Sequence, residues 1–379
     1  MVELPYGKFS YPLDLPGHDL TIVRAPTPPP ALTGAALDRV LDEALDAPIG
    51  RPRLDSFVAP DARVTIIVSD ATRHEPRVRL VAALRRRLPN ARITLAIATG
   101  THGPADLDAL DLPRDGIAEI INHDGHSDRD LVTLGTTRHG TPVILHRCVV
   151  DTDLVIATGC IRPHYFAGFG AGTKAIFPGL GQAAAIRINH RLKIATGSRA
   201  GIVDDNPCRA DLEEAVRLLP VPTYLLDTHI AGAVAGDPIT AFRAGVAAVR
   251  PYYTVKAPRA SVVIASDALP VTATVYQAAK IAAAAAPLVA PNGRLVVVAE
   301  CADGTGPLEV VNEAILRIGV LPRLPVGASL HLVSSLAREV VEQTLFRPCI
   351  NPGELAVRSS SGPIVVLPNA SQLICEPTS

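Results

Sequence analysis

The sequence is poor in aromatic residues and in net charge. Among its 379 residues there is no tryptophan, and aromatic residues make up 4% of the chain. Alanine, valine, leucine and isoleucine must therefore fill the interior. The formal net charge is −1, so the chain has no overall positive field of the kind that attracts nucleic acid. The six cysteines form no Cys-x-x-Cys pair, which disfavours structural zinc and thioredoxin-like chemistry.

Long apolar runs are also missing. The most apolar run, residues 281–290, is too short to cross a bilayer. The opening residues lack the basic and apolar regions of a secretory signal peptide. We therefore expect a cytoplasmic protein with reduced cysteines and with neither a membrane nor a nucleic acid as its partner.

Predicted strands and helices alternate along the chain. The buried strand 64–68 leads through a polar turn to a helix over 77–88, and strand 92–97 follows. The composition shifts near residues 251–258. Beyond it we predict strands 261–265, 294–299, 329–333 and 363–367 and helices 274–286, 308–318 and 336–345. This pattern predicts an α/β fold with two α/β domains, residues 1–255 and 256–379, and an active site in the cleft between them.

The stretch 160–190 combines several chemically useful residues. His164 follows a proline, a glycine-rich turn contains Gly168, Gly170 and Gly172, and Lys174 comes just after that turn. His190 closes the stretch. Glycines let a ligand approach the backbone, a desolvated lysine can act as a nucleophile, and an imidazole can bind metal or transfer protons. The turn is not a phosphate-binding P-loop, because Thr173 separates Gly172 from the lysine. Local chemistry alone leaves a surface turn as the alternative.

Polar residues also follow two of the predicted strands. Asp70, Thr72 and Arg73 lie in the turn after strand 64–68, and a helix N-cap would explain them equally well. His102 lies in the loop after strand 92–97. In the second half, Lys280 lies one helical turn after Tyr276, and an exposed lysine beside a tyrosine is the alternative there.

Six separated motifs resemble those of the lactate racemase family, the nickel-pincer-nucleotide enzymes, and they follow the family's order over nearly the whole chain. The most specific is PHYFAGFGAGTKAIFPG followed by NH. Asp-x-Thr-Arg, Ala-Thr-Gly-x-His and Tyr-Gln-x-x-Lys are also present. The resemblance implies a racemase or C2 epimerase of 2-hydroxy acids that works by reversible hydride transfer to a covalently bound nickel-pincer nucleotide. Lactate, malate, longer, aromatic or aldonic acids would suit the same core.

The resemblance also implies roles for individual residues. His102 and His164 would be the two acid/base groups, each with a pKa near 7, and His190 would ligate nickel. Lys174 would carry the cofactor as a thioamide. Substrate contacts would come from Arg73, Gln277 and Lys280. Further cofactor contacts would come from Asp70, Thr72, Gly168, Gly170, Gly172 and Tyr276. Enzymes that make the cofactor would be partners in maturation.

The chain departs from the family pattern at two places. Gly170 and Ala171 stand where the family usually has Ser-Gly, and Gly103 stands where arginine is common after the loop histidine. Two alternatives stay open at this stage. One is a nicotinamide-type 2-hydroxyacid oxidoreductase, which is disfavoured because no Gly-x-Gly-x-x-Gly follows a strand. The other is a non-catalytic homologue that binds nucleotide or nickel.

Overall fold

Two six-stranded sheets dominate the protein. The structure is a computed structural model and describes residues 1–73, 75–353 and 363–378. In these ranges the strands are β1 Val2–Tyr6, β2 Phe9–Leu13, β3 Leu20–Ile22, β4 Arg63–Ser69, β5 Arg92–Ala98, β6 Ile117–Asn122, β7 Leu131–Thr136, β8 Pro142–His146, β9 Leu154–Ile161, β10 Pro163–His164, β11 Gly168–Phe169, β12 Thr223–His229, β13 Gly232–Gly236, β14 Thr254–Pro258, β15 Ala260–Ser266, β16 Val289–Val298, β17 Ser329–Val333, β18 Arg347–Pro348, β19 Ile364–Leu367 and β20 Ile374–Thr378. The α-helices are α1 Gly34–Asp46, α2 Leu54–Phe57, α3 Arg77–Arg87, α4 Ala183–His190, α5 Pro207–Arg217, α6 Thr240–Tyr253, α7 Val275–Ala285 and α8 Arg338–Val341.

The first sheet has the order β13-β12-β9-β4-β5-β6. All neighbours pair in parallel except β12 and β13. Helices cover both faces: α1 and α3 pack on one side, and α4, α5 and α6 pack on the other. Strands buried on both faces need continuous apolar runs, which explains the Val-Thr-Ile-Ile-Val sequence of β4.

The strand order of this sheet reverses between β4 and β9. From β4 the chain continues outwards through β5 and β6, and it then returns to place β9 and β12 on the other side. The carboxyl ends of β4, β5, β9 and β12 therefore lie along one edge. In open α/β sheets, a ligand site commonly forms at such a reversal, beside the carboxyl ends of the strands.

The second sheet has the order β18-β17-β16-β15-β19-β3, and all its neighbours pair in parallel. The sequence pattern did not predict that its edge strand β3 comes from the start of the chain. The β1–β2 hairpin belongs here too, because its side chains Val2, Leu4 and Leu13 pack against apolar residues of β15, β16 and β19. The division at residue 255 remains a proposal, and residues 2–22 contribute to the second sheet.

Most predicted elements are present, so the α/β class is confirmed. Two helices differ from expectation. The prediction of a helix over 336–345 is wrong in extent, because the α-helix covers only Arg338–Val341. The predicted helix 308–318 contains a π-helix, Val310–Arg317. None of the helices in the described ranges combines the length and apolar character needed to span a bilayer.

Candidate active site

The turn after β4 and the loop after β5 meet through a charged hydrogen bond. The carboxylate Oδ2 of Asp70 lies 2.7 Å from Nδ1 of His102. Thr72 donates its backbone N–H to Oδ1 of the same carboxylate at 3.0 Å. Burial raises the pKa of Asp70, but the hydrogen bonds from His102 and Thr72 outweigh it and lower the pKa overall. Because a carboxylate only accepts, Nδ1 of His102 must carry a proton, and the lone pair of the neutral ring lies on Nε2.

Two residues that the sequence analysis missed hold the turn after β4. Arg77 donates to the backbone carbonyls of Ser69 at 2.6 Å and of Arg73 at 2.8 Å. The carboxylate of Glu75 accepts the N–H of Ser69 at 2.7 Å and the hydroxyl of Thr158 at 2.5 Å. These contacts tie the turn to α3 and β9, so the backbone beside Asp70 is fixed before any ligand binds.

Phe166 is the centre of a second group of site residues, which follows β9. Its ring centroid lies 4.6 Å from that of His164 and 4.8 Å from that of His190. The Nζ atoms of Lys174 and Lys193 lie 5.8 Å and 5.2 Å from the same centroid. The structure thus brings together three residues that the sequence analysis had selected. The sequence analysis missed Phe166 and Lys193, because no local sequence pattern distinguishes Phe166 from an ordinary core residue or Lys193 from an ordinary surface residue.

The glycine turn requires glycine at two of its three positions. Gly168 and Gly172 have φ values of +76° and +64°, and a Cβ atom on either would overlap Ile202 or Phe242. Gly170 has no such constraint. Ala171 adopts φ 65° and ψ −163°, a region that is essentially restricted to glycine.

A buried arginine braces this turn from α5. Arg209 is fully buried and donates to the carbonyls of Ala167 and Phe169, and its Nη1 lies 3.4 Å from the hydroxyl of Thr173. Burial and the charge of Arg209 lower the pKa of Lys174 to about 7. A substantial fraction of the Lys174 amine is therefore neutral, and so nucleophilic, at neutral pH.

The two histidines of the Phe166 group are both neutral. Burial, followed by the charges of Lys174, Arg73 and Lys280, lowers the pKa of His164 well below its ordinary value. Our expectation of a pKa near 7 is wrong for His164 in the protein without ligand. Its Nδ1 accepts the N–H of Ala167 at 3.2 Å, so the proton of the neutral ring is on Nε2.

His190 is the last residue of α4. Burial lowers its pKa well below the ordinary value, and the charges of Lys193 and Lys174 act in the same direction. The backbone carbonyl of Ile186 opposes this shift, because it favours the protonated ring. A neutral imidazole can offer a lone pair to a metal.

The start of α7 brings residues from the second half of the chain to the same site. Thr274 caps the helix by accepting the N–H of Gln277, and the amide oxygen of Gln277 accepts from Nζ of Lys280 at 2.5 Å. Burial, and then the charge of Arg73, lowers the pKa of Lys280 to about 8. Tyr276 packs against the Gly306 loop and donates its backbone N–H to Thr305. Since Lys280 and Arg73 both act on His164, α7 and the turn after β4 face one region.

A cavity of about 860 Å³ adjoins Arg73. Both halves of the chain contribute to its walls, which include Arg162 and His229 from the first sheet and Asp267 and Ser371 from the second. Of the site residues selected from sequence, Arg73 lines this cavity, and the candidate acid/base histidines lie outside its walls.

The described residues contain no group of three or more His, Cys, Asp and Glu side chains that could hold a metal ion. His190 is thus without two further protein ligands in the part of the chain that the structure covers. His190 could serve as one ligand of a metal whose other ligands come from a bound organic group.

Comparison with known proteins agrees with the motifs. A family model described as the lactate racemase N-terminal domain matches residues 6–201. The lactate racemase of Thermoanaerobacterium thermosaccharolyticum is 29% identical over 323 residues, covering 80% of this chain and 75% of the relative. The lactate racemase of Lactiplantibacillus plantarum is 30% identical over 284 residues, covering 70% and 66%.

Solved structures extend the similarity to the whole chain. The lactate racemase apoprotein from T. thermosaccharolyticum has a TM-score of 0.84 at 25% identity and covers 99% of both chains. A protein from Thermotoga maritima, with a TM-score of 0.61 at 12% identity, shares the fold. The family-model match covers more than half of the chain, and this chain belongs to the lactate racemase family.

Proposed function

We propose that this protein is an isomerase that racemises lactate or a related 2-hydroxy acid at C2, with a covalently bound nickel-pincer nucleotide. Membership of the lactate racemase family supports the reaction class. The observation that carries the proposal is the arrangement around Phe166, where the amine of Lys174 lies beside the imidazoles of His164 and His190.

The charge of the site fits an anionic cofactor. Lys174, Lys193 and Lys280 face this region, and none of the ion pairs within the described residues involves them. A ligand with phosphate and carboxyl-derived groups would supply the missing negative charge. The neutral amine of Lys174 suits an acyl-type bond, and the single imidazole of His190 suits a metal whose other ligands come from the cofactor.

When bound, the cofactor would supply reversible hydride transfer at C2 of the substrate. The protein would hold it through Lys174 and through a bond from His190 to nickel. Further contacts to the cofactor would come from the glycine turn, Asp70, Thr72 and Tyr276. We propose that the cofactor lies between the two α/β halves, residues 1–255 and 256–379, and that cofactor-making enzymes act on the chain before it is active.

The remaining site residues would bind substrate and move protons. Arg73 and Lys280 would hold the substrate carboxylate, and Gln277 would orient Lys280 through their hydrogen bond. His102 presents a lone pair on Nε2 and would take the hydroxyl proton, because Asp70 stabilises the imidazolium that results. His164 presents Nε2–H and would polarise the carbonyl oxygen of the 2-keto acid. Bound carboxylate would raise the pKa of His164 towards the range that proton transfer requires.

Mass spectrometry and nickel analysis test this proposal. The protein is produced together with cofactor-making enzymes, and its intact mass is measured. Lys174→Ala should lose the mass increment of the cofactor, whereas Lys256→Ala, which removes an exposed lysine, should keep it. His190→Ala should keep the increment but bind less nickel, and His139→Ala is its control. Survival of the increment in Lys174→Ala would refute the attachment site.

A further inference from the structure

A buried polar network stands behind His190. Asn189 and Asp211, from α4 and α5, are both fully buried. The side-chain nitrogen of Asn189 donates to Oδ2 of Asp211 at 2.7 Å. The amide oxygen of Asn189 lies 3.2 Å from Nδ1 of His190.

The acceptor character of Asp211 determines how this network is oriented. A carboxylate has no proton to donate, so the NH₂ group of Asn189 must face it. The amide oxygen is then forced towards His190, where it accepts a hydrogen bond. The thiol of Cys208 donates to the same oxygen at 3.3 Å, and burial raises the pKa of this thiol to about 12, so it keeps its proton.

Asp211 is itself held on its other sides. The hydroxyl of Thr141 donates to Oδ2 at 2.7 Å, and the hydroxyl of Thr137 donates to Oδ1. Both threonines are buried. The carboxylate cannot rotate without breaking these bonds, so the orientation of Asn189 is fixed by α5 together with the turn between β7 and β8.

We propose that Asn189 and Asp211 are positioning residues that hold the His190 imidazole as its Nδ1–H tautomer and leave the Nε2 lone pair for a metal. A metal-ligating histidine commonly donates its second N–H to such an acceptor, and loss of that acceptor typically costs about 10–100-fold in metal affinity or activity. The role of the lone pair rests on the proposed function, whereas the tautomer is a property of the chain itself.

Nitrogen-15 NMR of the histidine-labelled protein without cofactor reads the tautomer directly. The signals of His190 are identified by their loss in His190→Gln. Correlations from the ring carbon protons should show a protonated Nδ1 and an unprotonated Nε2. The opposite tautomer in the wild-type protein would overturn the proposal, and this measurement needs no variant of the network to fold.

Variants of Asn189 and Asp211 then test whether this network determines the tautomer of His190. Asn189→Leu removes the acceptor and should abolish the preference for Nδ1–H. The double variant Asn189→Asp/Asp211→Asn keeps an acceptor oxygen beside His190 and an amide donor opposite it, so it should restore the preference. Gln182→Leu removes a side-chain amide at the other end of α4 and should change nothing. An unchanged tautomer in Asn189→Leu would overturn the proposal and assign the tautomer to the Ile186 carbonyl.

Nickel binding separates this inference from the proposed function. At equal cofactor loading on Lys174, Asn189→Leu should bind nickel about 10–100-fold more weakly, and the double variant should recover. Full nickel affinity in Asn189→Leu would overturn the positioning role. If His190→Ala also keeps its nickel, the ligand assignment in the proposed function fails, and the NMR result still decides the tautomer.

Discussion

At the level of single residues, the two candidate acid/base histidines are held in opposite hydrogen-bonding states. His102 donates from Nδ1 to Asp70, whereas His164 accepts at Nδ1 from the backbone of Ala167. Motifs in the sequence can select both histidines. They cannot give the tautomers, because Ala167 is a neighbour in the chain but becomes a donor only once the loop is folded.

The opposite hydrogen-bonding states of His102 and His164 predict different catalytic defects in the two alanine variants. His102→Ala and His164→Ala should each reduce racemisation in both directions by about 10²–10⁴-fold, the usual cost of losing a general acid or base. In single-turnover mixtures with one pure enantiomer, His164→Ala should still release some 2-keto acid, because His102 keeps a lone pair on Nε2. His102→Ala should release much less, because Nδ1 of His164 already accepts the N–H of Ala167 and its Nε2 carries a proton. His126→Ala, in the neighbouring exposed loop, serves as the control, and equal release of 2-keto acid by the two site variants would contradict the different roles of the two histidines.

Ala171 offers a stability prediction. Its backbone lies in a region that is unfavourable for any residue with a Cβ atom, at a cost of about 1–3 kcal/mol. Ala171→Gly should therefore raise the free energy of unfolding by about 1 kcal/mol, after the extra chain entropy of glycine is subtracted. Urea unfolding measures this change. Ala195→Gly, at an ordinary extended backbone position, should lower stability, and a loss of similar size in Ala171→Gly would refute the strain.

At the level of elements, the parallel strands place the site. Because β4, β5 and β9 run in the same direction, the residues that follow each of them reach one edge of the sheet. Strand-turn-helix patterns in the sequence predict that much. The hydrogen bonds of Arg209 and Arg77 were not predicted from the sequence. Each arginine donates to backbone carbonyls, and every residue has a carbonyl, so the sequence does not show which carbonyls an arginine will reach.

The buried histidine of β17 predicts how stability depends on pH. Burial lowers the pKa of His331 from 6.5 to about 4 in the folded protein. The unfolded chain binds this proton near pH 6.5, so the folded state loses stability as the pH falls from about 6.5 towards 4. His331→Leu should flatten the decline in unfolding free energy between pH 7 and pH 5. His139→Leu, at an exposed position, should leave the slope unchanged, and an equal slope in His331→Leu would refute this assignment.

At the level of the whole molecule, charge is unevenly distributed. The chain carries a formal net charge of −1, yet the pKa values of Lys174, Lys193 and Lys280 are lowered to between about 7 and 8. Burial is the main cause for each, and no ion pair among the described residues compensates any of them. The amino-acid composition does not reveal these buried lysines, because the net charge sums them with many surface acids and bases that are paired with one another.

Unpaired lysines predict anion binding by the protein without cofactor. Inorganic phosphate should raise the thermal unfolding midpoint above that in sodium chloride of equal ionic strength, because only the folded state gathers the three lysines. A ligand at a hundredfold its Kd stabilises the folded state by about 2.7 kcal/mol. Lys174→Ala should reduce the gain, whereas Lys8→Ala, at an exposed site, should not. Equal midpoints in phosphate and chloride would contradict the prediction.

The pairing of β3 with β19 has a consequence for biosynthesis. The chain is made in the direction from its amino end, so β3 and the β1–β2 hairpin leave the ribosome well before β19, which follows about 340 residues later. At about 5–20 residues per second this interval is roughly 17–70 s. During that time the first sheet can form, while the apolar side of the hairpin still lacks its partner sheet. The nascent chain therefore offers chaperones an early, exposed apolar hairpin, and a protein truncated before residue 260 would keep that surface uncovered permanently.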